Sequence, residues 1–254
     1  KPLSDIESPD RSVTLHQLAQ RMLRDVNREH AQLRPHDFEL VARAGSFATA
    51  NGMMRVGPPL FDVSDESMST LKSYGVGQGD KTSFGYQCLV ARRLVEQGVR
   101  VVEVIDSGSG HKNWDAHGHI LDHRDNARFV DQGTAALIRD MRQRGLLDDT
   151  LIAICTEFGR TPWYQHTPKT PGRNHWERAF TCLLVGAGVK GGTAYGETNE
   201  WGSEVADKPC HVHDYHATIL HLLGIDHTEL TYRYGGRDFR LTDVYGNVVT
   251  DILS

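Results

Sequence analysis

The loop between residues 113 and 119 brings together side chains that commonly bind metal ions. It reads Asn-Trp-Asp-Ala-His-Gly-His and supplies Asp115, His117 and His119. Carboxylate oxygens and neutral imidazole nitrogens are ligands for zinc and for other divalent first-row metals. A hydrogen-bonded loop without a metal is the alternative interpretation, because short spacing alone is a weak signal.

Further candidate residues lie after the apolar run at 150–156 and in the long loop at 161–178 that follows. Glu157 would be costly to leave ionised without a cation or hydrogen-bond donors nearby, so it is either a metal ligand or the ion-pair partner of Arg160. Arg160 and Arg173 carry planar guanidinium groups that suit sulfate, phosphate or carboxylate, with a pair to Glu157 or Glu177 as the structural alternative. His175 is a candidate metal ligand or acid-base group.

His213 and Asp214 are weaker candidates for metal ligands. They stand at the start of a predicted helix, in a segment that contains several histidines. An aspartate at a helix start is already explained by capping, because its carboxylate accepts backbone N–H bonds and interacts favourably with the helix dipole.

The elements that must position these residues alternate along the second part of the chain. Predicted strands cover 99–105, 150–156 and 179–185, and predicted helices cover 82–97, 122–144 and 214–223. Alternating strands and helices indicate an α/β fold, with a mostly parallel sheet flanked by helices. Ligands bind such sheets beyond the carboxyl ends of the strands, so Asp115, Glu157 and His175 are predicted to meet there.

The chain of 254 residues is predicted to form a single domain over 1–254, with a helical N-terminal segment at 1–80 and an α/β core at 81–254.

The formal net charge of −5 argues against a nucleic-acid-binding protein, because affinity for the phosphate backbone needs a basic surface. The sequence has no run of about 18 apolar residues, so no membrane span is predicted.

The four cysteines are far apart, and Cys88, Cys155 and Cys182 lie in apolar runs, which predicts buried free thiols. Together with Cys210 they form neither a zinc knuckle nor a recognisable disulfide framework. The stretch from Cys88 to Arg92 is similar to Cys-x-Pro/Ala-x-Arg, a motif in which the cysteine becomes a formylglycine nucleophile. We reject that reading because the third position is valine and the segment is predicted to lie within a helix, whereas a nucleophile needs exposure and an activating neighbour.

An ordered set of motifs resembles that of a known family over nearly the whole chain. The motifs are Trp114-Asp-Ala-His117, Gly145-Leu-Leu-Asp-Asp-Thr150, Thr156-Glu-Phe-Gly-Arg-Thr-Pro162, Gly172-Arg-Asn-His-Trp176 and His213-Asp-Tyr-His-Ala-Thr-Ile-Leu-His-Leu-Leu-Gly224. The chain is similar in these motifs to the domain of unknown function 1501 family, a group of sulfatase-like proteins in the alkaline phosphatase superfamily.

The resemblance implies an alkaline-phosphatase/sulfatase-like fold, of which this chain corresponds to the C-terminal part. It implies that Glu157 and Phe158 stand where related enzymes have an Asp-His pair of metal ligands. Asp115 and His119 have the spacing of an Asp-x-x-x-His ligand pair, and His175 corresponds to the last metal-binding histidine. The resemblance also implies a divalent metal, zinc or calcium, and a periplasmic or secreted location.

We therefore predict a metal-dependent hydrolase of sulfate or phosphate esters, or a fragment of one, that acts on a small-molecule or saccharide anionic ester. Arg160 or Arg173 would hold the anionic group, and His175 would bind the metal or transfer a proton. The alternative is a catalytically inactive extracytoplasmic binding or structural protein with the same fold. The imidazole missing at Phe158 favours the alternative, whereas the retained Asp, His and Glu side chains favour the enzyme.

Overall fold

The computed structural model describes residues 12–106, 114–165, 169 and 171–254. The α-helices are α1 (Val13–Gln32), α2 (Phe38–Phe61), α3 (Met68–Tyr74), α4 (Phe84–Glu96), α5 (His123–Gln143) and α6 (Val212–Leu222). The strands are β1 (Ile152–Ile154), β2 (Gly159–Arg160), β3 (His175–Trp176), β4 (Leu183–Val185), β5 (Glu197–Thr198), β6 (Val205–Asp207), β7 (Thr231–Tyr234) and β8 (Arg237–Arg240). Short 3₁₀ helices cover Ile120–Asp122 and Thr250–Ile252.

The chain divides into two compact units. The first comprises Lys1–Leu71 and Leu89–Val102, and the second comprises Lys72–Cys88 and Glu103–Ser254. Helix α4 contributes residues to both units, because the boundary falls inside it. All the candidate metal ligands belong to the second unit. The prediction of a single domain, with a helical segment at 1–80 and an α/β core at 81–254, stays a prediction as regards the division of the chain.

The helices predicted at 82–97, 122–144 and 214–223 are confirmed as α4, α5 and α6. Helix α5 has the strongest amphipathic pattern of the three, and it buries Asn126, Gly133, Ala136 and Met141 on one face. None of the helices in the described part of the chain is long and apolar enough to cross a membrane.

Helices α4 and α5 approach each other closely within the second unit. A Cβ atom at Gly133 would lie only 3.1 Å from the Cα atom of Gly85, so two glycines allow this backbone contact. Nearby, the buried Tyr74 hydroxyl donates a hydrogen bond to Asp140 Oδ2 at 3.0 Å. These contacts fix α5, whose first residue, His123, reaches the candidate metal centre.

The predicted α/β fold with a mostly parallel sheet is wrong. The described residues contain only two-stranded antiparallel sheets, in which β1 pairs with β4, β2 with β3, β5 with β6, and β7 with β8. The protein is mixed and predominantly helical, with short antiparallel ladders in place of an extended sheet. The candidate residues therefore do not meet at the carboxyl ends of parallel strands.

Two apolar runs caused this error. Residues 99–105, predicted as a strand, form no ladder, and Val101 and Ile105 in that run are 82% and 66% exposed. β-branched residues favour extended backbone, but a strand also needs a neighbour to satisfy its N–H and C=O groups. The run at 150–156 was interpreted as a strand buried on both faces, whereas β1 pairs on one side only and Ile154 is 39% exposed.

The cysteine prediction is confirmed for one position and wrong for another. Cys88 is 2% exposed, and burial raises the pKa of its thiol to about 12, which agrees with rejecting it as a nucleophile. Cys155 is exposed and Cys182 is half-buried, and both are free thiols. Cys155 is exposed because it follows β1, the strand that was wrongly predicted to be buried on both faces.

Candidate metal centre

The hairpin formed by β2 and β3 places two candidate residues on one face. In its antiparallel register Arg160 lies directly opposite His175, and side chains of opposed residues project from the same side of a ladder. The buried Thr161 closes the hairpin, because its backbone N–H donates to Asn174 O at 3.0 Å and its hydroxyl accepts from Asn174 N at 3.1 Å.

The loop that carries Asp115 is fastened to this hairpin and to α5. The carbonyl oxygen of Trp114 accepts a hydrogen bond from Arg160 at 2.6 Å and lies 2.7 Å from His123 Nε2. Further along, the backbone N–H of Ile120 donates to Pro171 O at 2.8 Å. The loop therefore reaches the hairpin through backbone contacts on both sides of the candidate ligands.

Asp115, His117 and His175 converge at one point, and we call these three residues the His-Asp cluster. Asp115 Oδ1 lies 2.9 Å from His117 Nε2 and 2.8 Å from His175 Nε2. The two Nε2 atoms lie 3.0 Å from each other. Three ligand atoms from two separate segments thus form a nearly equilateral triangle.

Hydrogen bonds alone do not satisfy this triangle. If both Nε2 atoms carry protons and donate to the ionised carboxylate, the nitrogen-nitrogen contact joins two donors. If one Nε2 is unprotonated, its contact with the carboxylate joins two acceptors. A central cation removes the conflict, since an octahedral ion bound at about 2.1 Å separates adjacent ligand atoms by roughly 3.0 Å and a tetrahedral ion by roughly 3.4 Å.

Neighbouring side chains orient the two imidazoles. His117 Nδ1 lies 2.9 Å from Gln165 Oε1, an acceptor, which places the proton of neutral His117 on Nδ1 and leaves the Nε2 lone pair for a metal. The Phe158 ring stacks on His175, with centroids 4.0 Å apart and planes 23° apart. Metal-binding histidines usually have such orienting partners.

The charges around Asp115 keep its carboxylate ionised. The hydrogen bond from His175 and then the one from Arg160 hold the pKa of Asp115 below its usual range, against a small opposing effect of desolvation. The cluster is also open to solvent, because the exposed fractions of the side chains of Asp115, His117 and His175 are 56%, 34% and 44%. All three side chains are therefore accessible to an ion from solvent.

Two predicted ligands lie outside the cluster. His119 Nδ1 lies 3.2 Å from Asp122 Oδ1, so the phosphatase-type spacing of His119 does not bring it to the other ligands. Glu157 accepts a hydrogen bond from the hydroxyl of Thr156 at 3.3 Å and is not part of the cluster. Its neighbour Phe158 turns toward His175 instead.

His213 and Asp214 also lie outside the cluster and stabilise α6. Asp214 Oδ2 accepts the backbone N–H of His211 at 3.0 Å, and its other oxygen accepts that of Asn247 at 2.7 Å. His213 stacks on Tyr245 with ring planes 10° apart. Capping accounts for Asp214, whereas the buried Nδ1 of His213 has no hydrogen-bond partner among the described residues.

The two candidate anion-binding arginines donate to backbone carbonyls. Arg160 donates to Trp114 O, to Arg173 O at 3.1 Å and to Asp115 at 3.1 Å. Its ion-pair partner is therefore Asp115, and not Glu157, which was one of the two alternatives that the sequence left open. Arg173 donates to Thr161 O at 2.7 Å. Both side chains hold the hairpin and the loop in place.

Sequence reasoning missed Gln165 and the carbonyl group of Trp114. Gln165 lies 48 positions from His117, and no spacing rule connects a glutamine in a Pro- and Gly-containing loop with that histidine. A backbone carbonyl carries no signature in the sequence at all. Phe158 was noticed only as a missing imidazole, although it contacts His175 through its ring.

The fold and the site define a mixed, predominantly helical protein with a two-histidine, one-carboxylate candidate metal centre. The chain belongs to the family described as "Protein of unknown function (DUF1501)", whose family model matches residues 1–253. This confirms the family named from the sequence motifs. No curated protein and no solved structure matches the chain.

Proposed function

We propose that the protein binds one zinc ion at the His-Asp cluster and hydrolyses an anionic ester there. The observation that carries this proposal is the triangle of ligand atoms, 2.8 to 3.0 Å on each side, which a cation satisfies and hydrogen bonds do not. Two imidazoles and one carboxylate match catalytic zinc sites, in which three protein ligands leave a position for water or substrate.

The ligand types favour zinc over calcium. Calcium takes six to eight oxygen ligands, and the cluster offers two imidazole nitrogens and one carboxylate. A bound zinc ion would polarise an ester oxygen and increase the acidity of water. Partial exposure of all three side chains leaves room for a small-molecule or saccharide ester.

The residues of this chain would each have a defined part in that reaction. Asp115, His117 and His175 bind the ion, which assigns His175 to metal binding in preference to proton transfer. Arg160 positions Asp115 through their direct contact, and Gln165 orients His117. Sulfate and phosphate esters are the proposed substrates because of the sulfatase-like motif set, which also suggests a periplasmic or secreted location.

One observation favours an alternative function. Terminal nitrogens of Arg160 and Arg173 donate to backbone carbonyls, so their hydrogen bonds support the loop and not an anionic ester. A protein that binds zinc for structure or recognition, without turnover, would need nothing more. The two functions share the metal and differ only in catalysis.

The test combines metal analysis with turnover. Protein purified without chelators is analysed for zinc by mass spectrometry and assayed with an aryl sulfate and an aryl phosphate, before and after EDTA and after zinc is restored. We expect about one zinc per chain and an activity that EDTA abolishes and zinc restores. His175→Ala should weaken zinc binding by more than about 100-fold, since loss of an outer-shell partner alone costs 10–100-fold.

The matched control is His119→Ala, which removes a histidine of the same loop that lies outside the cluster. It should bind zinc and turn over substrate like the parent protein. Absence of stoichiometric zinc would overturn the whole proposal. Stoichiometric zinc without turnover of either ester would overturn the hydrolase and establish the alternative.

A further inference from the structure

One cysteine directly follows β1 and another directly precedes β4, the two strands of one antiparallel ladder. The antiparallel register pairs Ile152 with Val185 and Ile154 with Leu183, so that the two residue numbers of each pair have the same sum. The next pair in this register is Cys155 with Cys182. Directly opposed residues of an antiparallel pair have Cα atoms about 4.5 to 5.5 Å apart, inside the range of about 4.4 to 6.8 Å that a disulfide needs.

The surroundings of the two thiols agree with this register. Burial raises the pKa of Cys182, the backbone N–H of Thr156 lowers it, and the neighbouring Cys155 raises it again. The pKa of the buried Tyr215 hydroxyl is raised, mainly by burial and further by the neighbouring Cys182 and Cys155. Both sulfur atoms thus lie beside the same tyrosine.

The two thiols also differ in access. Cys155 is exposed and Cys182 is half-buried, and both are free. An accessible thiol that has a second thiol directly across the ladder can react first with a partner in solution and then be resolved within the chain. Cys88, at 2% exposure, offers no such access.

We propose that Cys155 and Cys182 form a cross-strand disulfide by exchange with a low-molecular-weight disulfide. The Cys155 thiolate attacks one sulfur of the small disulfide, which forms a mixed disulfide and releases one thiol. The Cys182 thiolate then attacks the Cys155 sulfur, which forms the internal bond and releases the second thiol. Two cysteine thiols are oxidised, one small disulfide is reduced to two thiols, and the two protons end on those thiols.

The bond would link the two chain segments that support the metal centre. One segment runs from β1 through Phe158 to β2, and the other runs from β3 to β4. Phe158, on the first segment, stacks on His175, on the second. The thiol pair is nevertheless independent of the metal, because neither cysteine belongs to the His-Asp cluster.

The test counts and locates the thiols of the wild-type chain. The protein is incubated with oxidised glutathione, denatured, alkylated and mapped by mass spectrometry. The number of alkylated thiols should fall from four to two, with one linked peptide pair that contains Cys155 and Cys182. Dithiothreitol should restore all four, and the oxidised protein should have a higher midpoint of thermal unfolding than the reduced protein.

Three variants locate the reaction further. Cys155→Ser and Cys182→Ser should give no internal link, and Cys155→Ser should also lose the mixed disulfide. Cys210→Ser is the matched control, because Cys210 is exposed and also lies near Cys182 but is not opposite it in the ladder register, so this variant should link like the wild type. Four alkylated thiols after oxidation, a link to Cys210, or glutathione that stays on Cys155 of the wild type would each overturn the proposal, whether or not the variants fold.

Discussion

Two polar clusters of this protein each combine carboxylates with nitrogen-containing side chains, but they differ in burial and in how donors and acceptors are paired. In the first, which we call the Arg92 cluster, Arg92 donates to Glu66 at 2.7 Å and to Glu96 at 2.6 Å. Its arginine and Glu66 are nearly buried, at 3% and 9% side-chain exposure. In the second, the His-Asp cluster, the ligand atoms face each other across a triangle that is open to solvent.

The comparison separates structural polar clusters from candidate ligand sites. Each contact of the Arg92 cluster joins a donor to an acceptor, and the guanidinium group compensates the buried carboxylates. Burial lowers the pKa of Arg92, but the hydrogen bonds that Arg92 donates to Glu96 and Glu66 outweigh burial and raise this pKa. The His-Asp cluster lacks this match, because its neutral tautomers always leave one unfavourable contact. A mismatch of this kind indicates a missing cation better than the number of histidines does.

The largest effect is expected when the Arg92 cluster is broken. Arg92→Ala should lower the free energy of unfolding by about 3 kcal/mol, the lower end of the cost of breaking a buried ion pair, because the nearly buried Glu66 loses one of its two cations and keeps Arg93 at 2.6 Å. Urea unfolding followed by circular dichroism measures this loss. The control is Arg178→Ala, whose pair with Glu204 is 59% and 57% exposed and should contribute less than about 1 kcal/mol. Equal losses of unfolding free energy in the two variants would show that the buried Arg92 cluster contributes no more than an exposed ion pair.

Breaking the His-Asp cluster should have a smaller effect that depends on metal. At a free zinc concentration 100 times the dissociation constant, zinc should raise the free energy of unfolding of the wild type by about 2.7 kcal/mol. Asp115→Asn should abolish that gain, since a neutral amide is a poor zinc ligand, while changing the metal-free stability little because Asp115 is exposed. Urea unfolding with and without zinc checks both statements. His119→Ala should keep the gain, and a gain retained by Asp115→Asn would remove Asp115 from the ligand set.

The sequence predicted the three members of the His-Asp cluster but not the reason why they meet. Asp115 and His117 were found from short spacing and His175 from a motif, and all three residue types are good metal ligands. The predicted mechanism of convergence was the edge of a parallel sheet. The structure brings them together through the register of a two-residue ladder and through carbonyl contacts, neither of which has a signature in residue types.

The helix predictions were more accurate than the strand predictions, and the reason is physical. A helix satisfies its hydrogen bonds locally, so the 3.6-residue period suffices to predict α4, α5 and α6. A strand depends on a partner that is distant in sequence, so the apolar runs at 99–105 and 150–156 could not reveal how they pair. Glu157 lies outside the His-Asp cluster for the same reason, because its predicted position depended on a parallel strand before it.

The Phe158 ring offers a way to weaken the His-Asp cluster without removing a ligand. Phe158→Ala removes the ring that stacks on His175, so the imidazole gains rotational freedom that zinc must restrict. We expect zinc binding about 10-fold weaker, the lower end of outer-shell effects. Competition with a fluorescent zinc chelator measures this. The control Phe129→Ala removes an exposed ring from α5 and should leave the affinity unchanged. Unchanged affinity in Phe158→Ala would show that stacking does not orient the ligand.

The smallest effect is expected at Asp80, a carboxylate whose hydrogen-bond contacts all join a donor to an acceptor, and it depends on pH. Asp80 Oδ1 accepts the backbone N–H groups of Thr82 at 2.9 Å and Ser83 at 3.0 Å, just before α4. Burial works against its charge, but hydrogen bonds from Ser83 and Thr82 outweigh burial and hold the pKa of Asp80 below its usual range. Ionised Asp80 therefore stabilises the folded state at pH values above the pKa of the unfolded chain, about 3.9, and that stability is lost as the pH falls through the lower folded-state pKa.

Asp80→Asn should consequently cost about 1 kcal/mol at pH 7, where the wild-type carboxylate is fully ionised. The difference between the two proteins should stay constant down to about pH 5 and shrink toward zero as the pH falls from about 4 through the lower folded-state pKa, because the wild type becomes protonated over this range and the variant does not titrate. Urea unfolding from pH 7 to pH 3 measures the difference. Asp131→Asn, at an exposed position of α5, should show no such dependence. If the stability difference between the wild type and Asp80→Asn grew as the pH fell, the hydrogen bonds to Asp80 would not stabilise its ionised form. Asp80 would then be mismatched with its partners, like the His-Asp cluster.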